Sequence, residues 1–310
     1  MKLKTLVILG GSGFVGKSIL SYFLSKKMNK FKINKIILVS RNIEKIKKEF
    51  NIIGNKNIIL KKINLLNKVT LPKGDYIIHA AEPTIYGVKD KLIFSKYYEA
   101  TKKIVNFYSK FRNIKFIYLS SGAVYGGLTK KKKFQENSIL TTKNMDSLKK
   151  IYAQNKINSE KYCLNNFNKK KLIIARLFTF IGKYIPKHGN YAVGNFMSNV
   201  NNLKTLKLTS PNPKKTIRSY LYADDLVNCL LKLAVGKNKS ISPVYNVGSD
   251  KPISIYKVAC EFSKISGLPL SSINNKNIND IYLPNIDKLT KNYKLSNFLG
   301  FRSAIVRSIK

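Results

Sequence analysis

Tyr152 and Lys156 stand four residues apart in the run YAQNK, downstream of Ser120 and Ser121 in SSGAVYG. Residues at i and i+4 share one face of a helix, so the Lys156 ammonium can sit beside the Tyr152 phenol and favour its phenolate. A phenol held this way can exchange a proton with an alcohol or a sugar hydroxyl, as a general acid/base. Taken alone, the YxxxK spacing describes a solvated helix face equally well. Its weight comes from following a glycine-rich loop and a serine-bearing strand end.

That loop lies in LVILGGSGFVG, Leu6 to Gly16, where Gly10, Gly13 and Gly16 recur at three-residue spacing and Phe14 and Val15 open an apolar helix. Glycine lets the chain turn tightly and approach a pyrophosphate with no Cβ in the way, while the following helix directs its positive end at the anion. The loop follows the first strand directly, and a second strand comes by residue 35, the context that separates a dinucleotide fingerprint from a structural turn. The end of the second strand bears on the cofactor, since a carboxylate there holds the ribose of NAD and a basic residue accommodates the 2′-phosphate of NADP. Val39-Ser40-Arg41-Asn42 offers no carboxylate before Glu44. Ser40 and Arg41 therefore tilt the reading from NAD toward NADP; an Arg41 that caps a turn or stacks on adenine would suit NAD as well.

The elements that must position these residues alternate strand and helix. Thr5–Leu9, Lys35–Ser40, Asn57–Lys62, Asp75–Ala80 and Lys115–Ser120 read as buried strands; Phe14–Lys27, Ile43–Phe50 and Lys91–Phe111 have helical length and spacing. A helix at Leu148–Asn165 and a strand at Leu172–Arg176 continue the pattern. Such alternation implies right-handed βαβ units and a doubly wound parallel sheet of the α/β class covered on both faces. After Thr179 the rhythm gives way to loops, helical pieces at Tyr191–Asn201 and Ala223–Val235, and short strands at Leu206–Thr209 and Val244–Val247. No linker or internal repeat divides the chain, and the one low-complexity patch is Lys130–Lys133.

Length and composition fit one large α/β unit: 310 residues, 44% hydrophobic and 24% charged. No apolar run approaches the ~20 residues of a membrane helix. The basic start followed by a short apolar run is expected to be a strand and not a secretion signal. Cys163, Cys229 and Cys260 are widely spaced with no CxxC, and His79 and His188 are the only histidines. That argues for a reducing cytoplasm and against a metal site. The net charge of +43 would ordinarily point to a polyanion. Yet six of the 58 basic residues are arginine, and 33 asparagines accompany the lysines. A/T-rich codons account for that composition without a nucleic-acid partner, whose groove would instead cluster arginine with aromatics.

The chain resembles the extended short-chain dehydrogenase/reductases that act on nucleotide sugars, the NAD-dependent epimerase/dehydratase family. The resemblance rests on GGSGFVG at Gly10–Gly16, HAA at His79–Ala81, SSGAVYG at Ser120–Gly126, YAQNK at Tyr152–Lys156, IRSYLYADDL at Ile217–Leu226 and YNVGS at Tyr245–Ser249, in family order. It implies a Rossmann-type sheet with a smaller mixed C-terminal substrate-binding region. Residues 1–178 would form mainly the NAD(P)-binding domain and 179–310 mainly the substrate region, with some strands and helices returning to the core. It further implies that Ser121 hydrogen-bonds the reacting sugar oxygen, Tyr152 acts as general acid/base, and Lys156 holds the nicotinamide ribose. Ala80 and Ala81 would let the cofactor lie against the fourth strand. Hydride would pass between a sugar carbon, typically C4, and the nicotinamide.

Departures from the family narrow the reaction. Its 4,6-dehydratases carry Asp and Glu just after the Ser/Thr, and its decarboxylases a glutamate there; here those places hold Gly122 and Ala123. Epimerisation at C4 or reduction of a keto sugar is therefore favoured over elimination. Arg176-Leu177-Phe178-Thr179 lacks the asparagine that often follows this strand in the family. Asn195 and Arg218 match positions that contact the nucleotide diphosphate, and a guanidinium suits that task because it pairs two oxygens at once. For Asn195 a helix N-cap is a competing role. Asp224 and Asp225 fit the start of a helix. The Lys130–Lys133 run is expected to be a solvated loop, with steering of the diphosphate as the sharper alternative. Homodimerisation is usual in the family. A reading from another class is a non-catalytic dinucleotide-binding scaffold that binds RNA or another polyanion; the triad of Ser121, Tyr152 and Lys156 argues against it.

Overall fold

The computed structural model describes residues 4–67, 70–83, 88, 90–127, 133–187, 191–237, 240–271, 276 and 278–309. His188 and Lys130–Lys132 lie outside the described residues, and Lys133 is exposed.

The first half alternates as its sequence implies: β1 (Lys4–Leu9), α1 (Phe14–Leu24), β2 (Ile33–Ser40), α2 (Glu44–Glu49), β3 (Ile58–Lys62), β4 (Tyr76–His79), α3 (Leu92–Ser109), β5 (Lys115–Ser121), α4 (Ser147–Asn166) and β6 (Leu172–Leu177). There follow β7 (Phe180–Ile181), α5 (Ala192–Asn201), β8 (Thr216–Arg218), β9 (Leu221–Tyr222), α6 (Ala223–Val235), β10 (Val244–Val247), β11 (Ile253–Ser254), α7 (Ile255–Ser266), β12 (Asp280–Ile281), α8 (Asp287–Tyr293) and α9 (Phe301–Ile309).

Seven strands form one parallel sheet in the order β10-β6-β5-β4-β1-β2-β3. The two faces of this sheet can be read in β1. Leu6 and Ile8 enter the core beneath α1 and α6, while Val7 and Leu9 enter the core beneath α3 and α4. Strands buried on both sides are continuous apolar runs, which is why TLVIL and FIYL carry so little polarity. From β1 the chain winds outward to β2 and β3, then crosses back to place β4 on the other flank of β1. Strand order reverses between β1 and β4, and open α/β sheets bind ligands in the crevice at the carboxyl ends beside that switch.

Beyond residue 178, β10 pairs with β6 in the main sheet, with Val244 opposite Ile174 and Val247 opposite Leu177. A small mixed sheet has the order β11-β8-β12, and β7 pairs with β9. A separate apolar cluster fills the space among α5, α7 and α9, including Phe196, Phe262 and Ile305. The strand expected at Leu206–Thr209 reduces to a single bridge, Leu206 to Leu270. One rung forms there, by Leu206 N–H to Pro269 O at 2.9 Å and Ser271 N–H to Leu206 O at 3.0 Å, before Pro211 and Pro213 break the run. Helix α1 stops at Leu24, short of the expected Lys27, because Lys26 takes a left-handed φ of +59°. Among the described residues no helix is long and apolar enough to cross a membrane, and no cluster of His, Cys, Asp and Glu could hold a metal ion.

Candidate active site

The loop after β1 and the end of β4 meet at the switch point. Gly10 adopts φ +98°, and a Cβ there would lie 2.8 Å from the Ala80 carbonyl and 2.9 Å from the Ala81 Cα. Only glycine lets this turn close against Ala80 and Ala81. Gly13 is the N-cap of α1 and offers no side chain to its N–H groups, so the first turn at Phe14, Val15 and Gly16 presents donors that have no intrahelical acceptor. A bare backbone and free donors at a crevice suit the pyrophosphate of a dinucleotide. Ser40, at the end of β2, is buried and shares a 2.7 Å hydrogen bond with Ser12. Arg41 is exposed, its guanidinium 6.0 Å from the Tyr97 ring centre.

The candidate catalytic residues gather one strand further along. Ser121 ends β5, and its Oγ accepts from the Ala123 N–H at 3.1 Å as the chain enters a single 3₁₀ turn. Helix α4 crosses nearby, started by the Asp146 carboxylate accepting from the Lys149 N–H at 2.9 Å. It brings Lys156 Nζ within 5.8 Å of the Tyr152 ring centre. Tyr152 packs edge-on against Phe94 of α3, with ring centres 6.0 Å apart. Lys156 is buried, donates to Leu119 O at 2.7 Å and pairs with Glu82 Oε2 at 2.6 Å. Glu82 also accepts from the Tyr118 hydroxyl at 2.5 Å. Burial works against the Lys156 charge, but Glu82, then Tyr152 and Glu160, more than offset it and raise its pKa. His79 lies behind, bonded to Thr101 at 3.0 Å; burial, then the Lys156 charge, lower its pKa to about 3, so it is neutral.

Two residues that sequence reasoning passed over complete the group. Glu82 follows the HAA motif directly, but nothing local shows that it meets Lys156. Tyr282, just past β12, brings its hydroxyl to Ser121 and toward Tyr152, its ring 4.7 Å from that of Phe178. A Cβ on Gly122 would collide with the Tyr282 hydroxyl and lie 2.9 Å from Phe178. Burial, then proximity to Tyr152, push the Tyr282 phenol well above its ordinary pKa, so it stays protonated. Tyr282 thus packs where a side chain at position 122 would stand.

Other motif residues are scaffold. Arg176 pairs with Glu160 through Nη2 at 2.6 Å and donates to the Tyr125 hydroxyl at 2.8 Å. The Tyr125 hydroxyl donates to Asn246 at 2.7 Å. Asn246 belongs to YNVGS and also donates to Phe134 O at 2.9 Å. SSGAVYG and YNVGS are therefore bonded to each other, which fixes the turn after Ser121.

Of the expected diphosphate contacts, Arg218 stands beside Tyr282, 5.7 Å from its ring centre, with Nη2 held by Asp280 at 2.5 Å. Asn195 does not cap its helix; Tyr191 is the N-cap of α5 and Asn195 lies inside it, partly buried. Asp224 and Asp225 occupy the first turn of α6, and Asp225 accepts from the Leu299 N–H at 2.8 Å.

The chain is 31% identical over 287 residues to a Dictyostelium discoideum protein described as dTDP-D-glucose 4,6-dehydratase, covering 85% of this chain and 62% of that one. The chain thus spans under two thirds of that relative's length. Among solved structures, a UDP-N-acetylglucosamine 4-epimerase from Methanobrevibacter ruminantium M1 superposes with TM-score 0.80 at 20% identity, covering 100% of this chain and 98% of that one. A UDP-glucuronic acid 4-epimerase from Bacillus cereus, solved with NAD, gives TM-score 0.78 at 19% identity, covering 98% and 97%. Since the pattern described as the NAD dependent epimerase/dehydratase family matches residues 6–248, well over half of the chain, the chain belongs to the NAD-dependent epimerase/dehydratase family.

Proposed function

We propose that the protein is a nucleotide-sugar oxidoreductase that works at a sugar carbon, C4 by family likeness, as a 4-epimerase or a 4-ketoreductase in preference to a 4,6-dehydratase. The observation that carries this reading is the group of hydroxyls around Tyr282, which reaches Ser121 and lies near Tyr152, together with glycine and alanine in place of an acid at positions 122 and 123, the Tyr282 hydroxyl standing where a side chain on Gly122 would fall. The names of the relatives point both ways, to epimerases and to a dehydratase. The residues at 122 and 123 favour the epimerases, because elimination of water by the family's route needs a proton-transfer group that glycine and alanine lack.

A nicotinamide dinucleotide, when bound, supplies the hydride acceptor and donor. Gly10, Gly13, Phe14, Val15 and Gly16 would hold its pyrophosphate, Ser40 and Arg41 its adenosine end, Ala80 and Ala81 its flank, and Lys156 the nicotinamide ribose. Tyr152 Oη takes the proton of the sugar hydroxyl as its carbon is oxidised and returns one on reduction. Ser121 Oγ holds the same oxygen. Arg218, beside the cluster, would share its guanidinium between Asp280 and the diphosphate of the substrate. Arg41 favours NADP modestly, and a ketoreductase would draw on NADPH where an epimerase retains NAD.

The test is to denature the purified protein and identify released dinucleotide by mass, then to titrate the empty protein with NADH and NADPH. The protein is next incubated with UDP-glucose, UDP-glucuronic acid, UDP-N-acetylglucosamine and dTDP-glucose. Retained NAD with a product of unchanged mass supports an epimerase, and preference for NADPH a reductase. Loss of water from the sugar refutes our reading of Gly122 and Ala123. A second reading, a polyanion-binding scaffold, draws on a cleft of about 860 Å³ at the opposite end of the sheet, lined by Lys4, Lys115, Lys169, Lys170, Lys171 and Lys237. It requires RNA affinity that collapses with salt and no dinucleotide binding.

A further inference from the structure

We propose that Glu82 is a positioning residue for Lys156: its buried carboxylate fixes the ammonium at the ends of β4 and β5, beneath Tyr152, and keeps it charged. The inference deepens the reading above and rests on it for its catalytic meaning.

The geometry is specific. Lys156 and Glu82 side chains are 5% and 6% exposed and meet at 2.6 Å. An ammonium removed from water this completely sheds its proton unless a counter-charge holds it. The Leu119 carbonyl, 2.7 Å from Nζ, gives direction but no charge. Glu82 is itself held on its other oxygen by the Tyr118 hydroxyl at 2.5 Å, and its backbone N–H is tied to Ala80 O at 3.2 Å. The carboxylate is thus anchored to the turn whose Ala80 and Ala81 would flank a dinucleotide. Among the described residues, the titratable groups facing Lys156 are consistent with this assignment. On β4, His79 is neutral. On β5, Tyr118 is driven well above its ordinary pKa by burial and then by Glu82. On α4, Tyr152 lies toward the crevice, Cys163 is a thiol whose pKa burial pushes up, and Glu160 is claimed by Arg176 of β6. Tyr282, beyond Tyr152, is protonated. Among the described residues, Glu82 supplies the nearby negative charge that is not already paired with another cation.

The experiment follows the charge of Lys156 directly. Full-length protein labelled with 13C at lysine Cε is titrated by NMR, the Lys156 resonance being assigned by its loss in Lys156→Met. In the unsubstituted protein this resonance should not move up to pH 10. In Glu82→Gln it should titrate at least about one pH unit below the ordinary lysine midpoint, because burial remains and the counter-charge is gone. Glu82→Asp keeps the charge on a shorter arm and should titrate between the two; it also serves if the Gln variant fails to fold. A Lys156 resonance that is unmoved in both variants, or that titrates higher, overturns the proposal. A purely packing role for Glu82 would lower thermal stability without shifting this titration. Binding of NAD and of NADP is measured on the same samples: the absence of both from the unsubstituted protein would refute the proposed function and leave the Glu82 result standing.

Discussion

Replacing Gly122 with alanine should destabilise the protein, and replacing Tyr282 with phenylalanine should remove much of that cost. Gly122 does not sit at positive φ, so alanine suits its backbone, and at such sites the exchange normally stabilises by about 0.4–1 kcal/mol through the unfolded chain. Here the added methyl would fall on the Tyr282 hydroxyl and stand 2.9 and 3.0 Å from two atoms of Phe178. Neither ring can retreat easily. Phe178 lies 4.7 Å from Tyr282 and 6.1 Å from Tyr125, centre to centre, and Tyr125 is stacked on Phe134 at 4.8 Å. Overpacking of this kind costs about 1–3 kcal/mol, so, set against that gain, a net loss of about 1.3 kcal/mol is expected for Gly122→Ala. Tyr282→Phe deletes only the colliding oxygen and leaves the Phe178 contacts. In that background the alanine should cost less than about 1 kcal/mol, a coupling of roughly 1 kcal/mol between two touching sites. Urea midpoints of the four proteins, compared at unchanged m, measure it. An alanine that stabilises, or one that costs the same in both backgrounds, would show that Tyr282 does not fill this space.

Tyr152→Phe should cut turnover of the active nucleotide sugar by about 10²–10⁴-fold while dinucleotide affinity changes little, as read by steady-state kinetics beside a binding titration. His79 carries a pH signature. With its pKa lowered to about 3 by burial and by Lys156, the native state stays unprotonated while the unfolded chain takes up a proton below about 6.5. Stability therefore falls as pH drops through that window, by up to about 1.4 kcal/mol per unit. His79→Gln should lose this slope between about pH 5 and 6, measured against the unsubstituted protein by thermal unfolding. Glu160→Gln leaves the buried Arg176 guanidinium without its partner and should cost about 3–5 kcal/mol in the same measurement.

How far the sequence carried depended on whether the cause of a feature was local. The central strands and α1, α3 and α4 were legible because burial on one or two faces imposes a period that neighbours in the chain display. The glycine-rich turn between β1 and α1 was legible for the same reason: its glycines, the strand before it and the helix after it are contiguous. Leu206–Thr209 read as a strand from its alternation, yet pairing depends on a partner segment, and that partner offered a single rung. Tyr282 lay outside any motif and reaches Ser121 only because β12 pairs with β8. A side chain delivered by a distant loop leaves no trace in the spacing around the candidate catalytic residues.

Charge composition, uninformative as a total, becomes informative residue by residue. The chain carries 15 acidic residues against 58 basic ones, so a carboxylate is scarce while a lysine is common. Among the described residues, the ion pairs in which both side chains are no more than a fifth exposed are Lys156 with Glu82, Arg176 with Glu160, and Arg218 with Asp280. Each contains a cation on an element of the candidate site. Surface pairs contribute about 0–1 kcal/mol, so a drift toward lysine at the surface costs little. A buried cation stripped of its partner costs several times more, so carboxylates facing Lys156, Arg176 and Arg218 cannot drift. The few acids that remain inside this basic protein therefore mark the part of the structure where charge placement matters, and they converge on the end of the sheet where Ser121, Tyr152 and the glycine-rich loop meet.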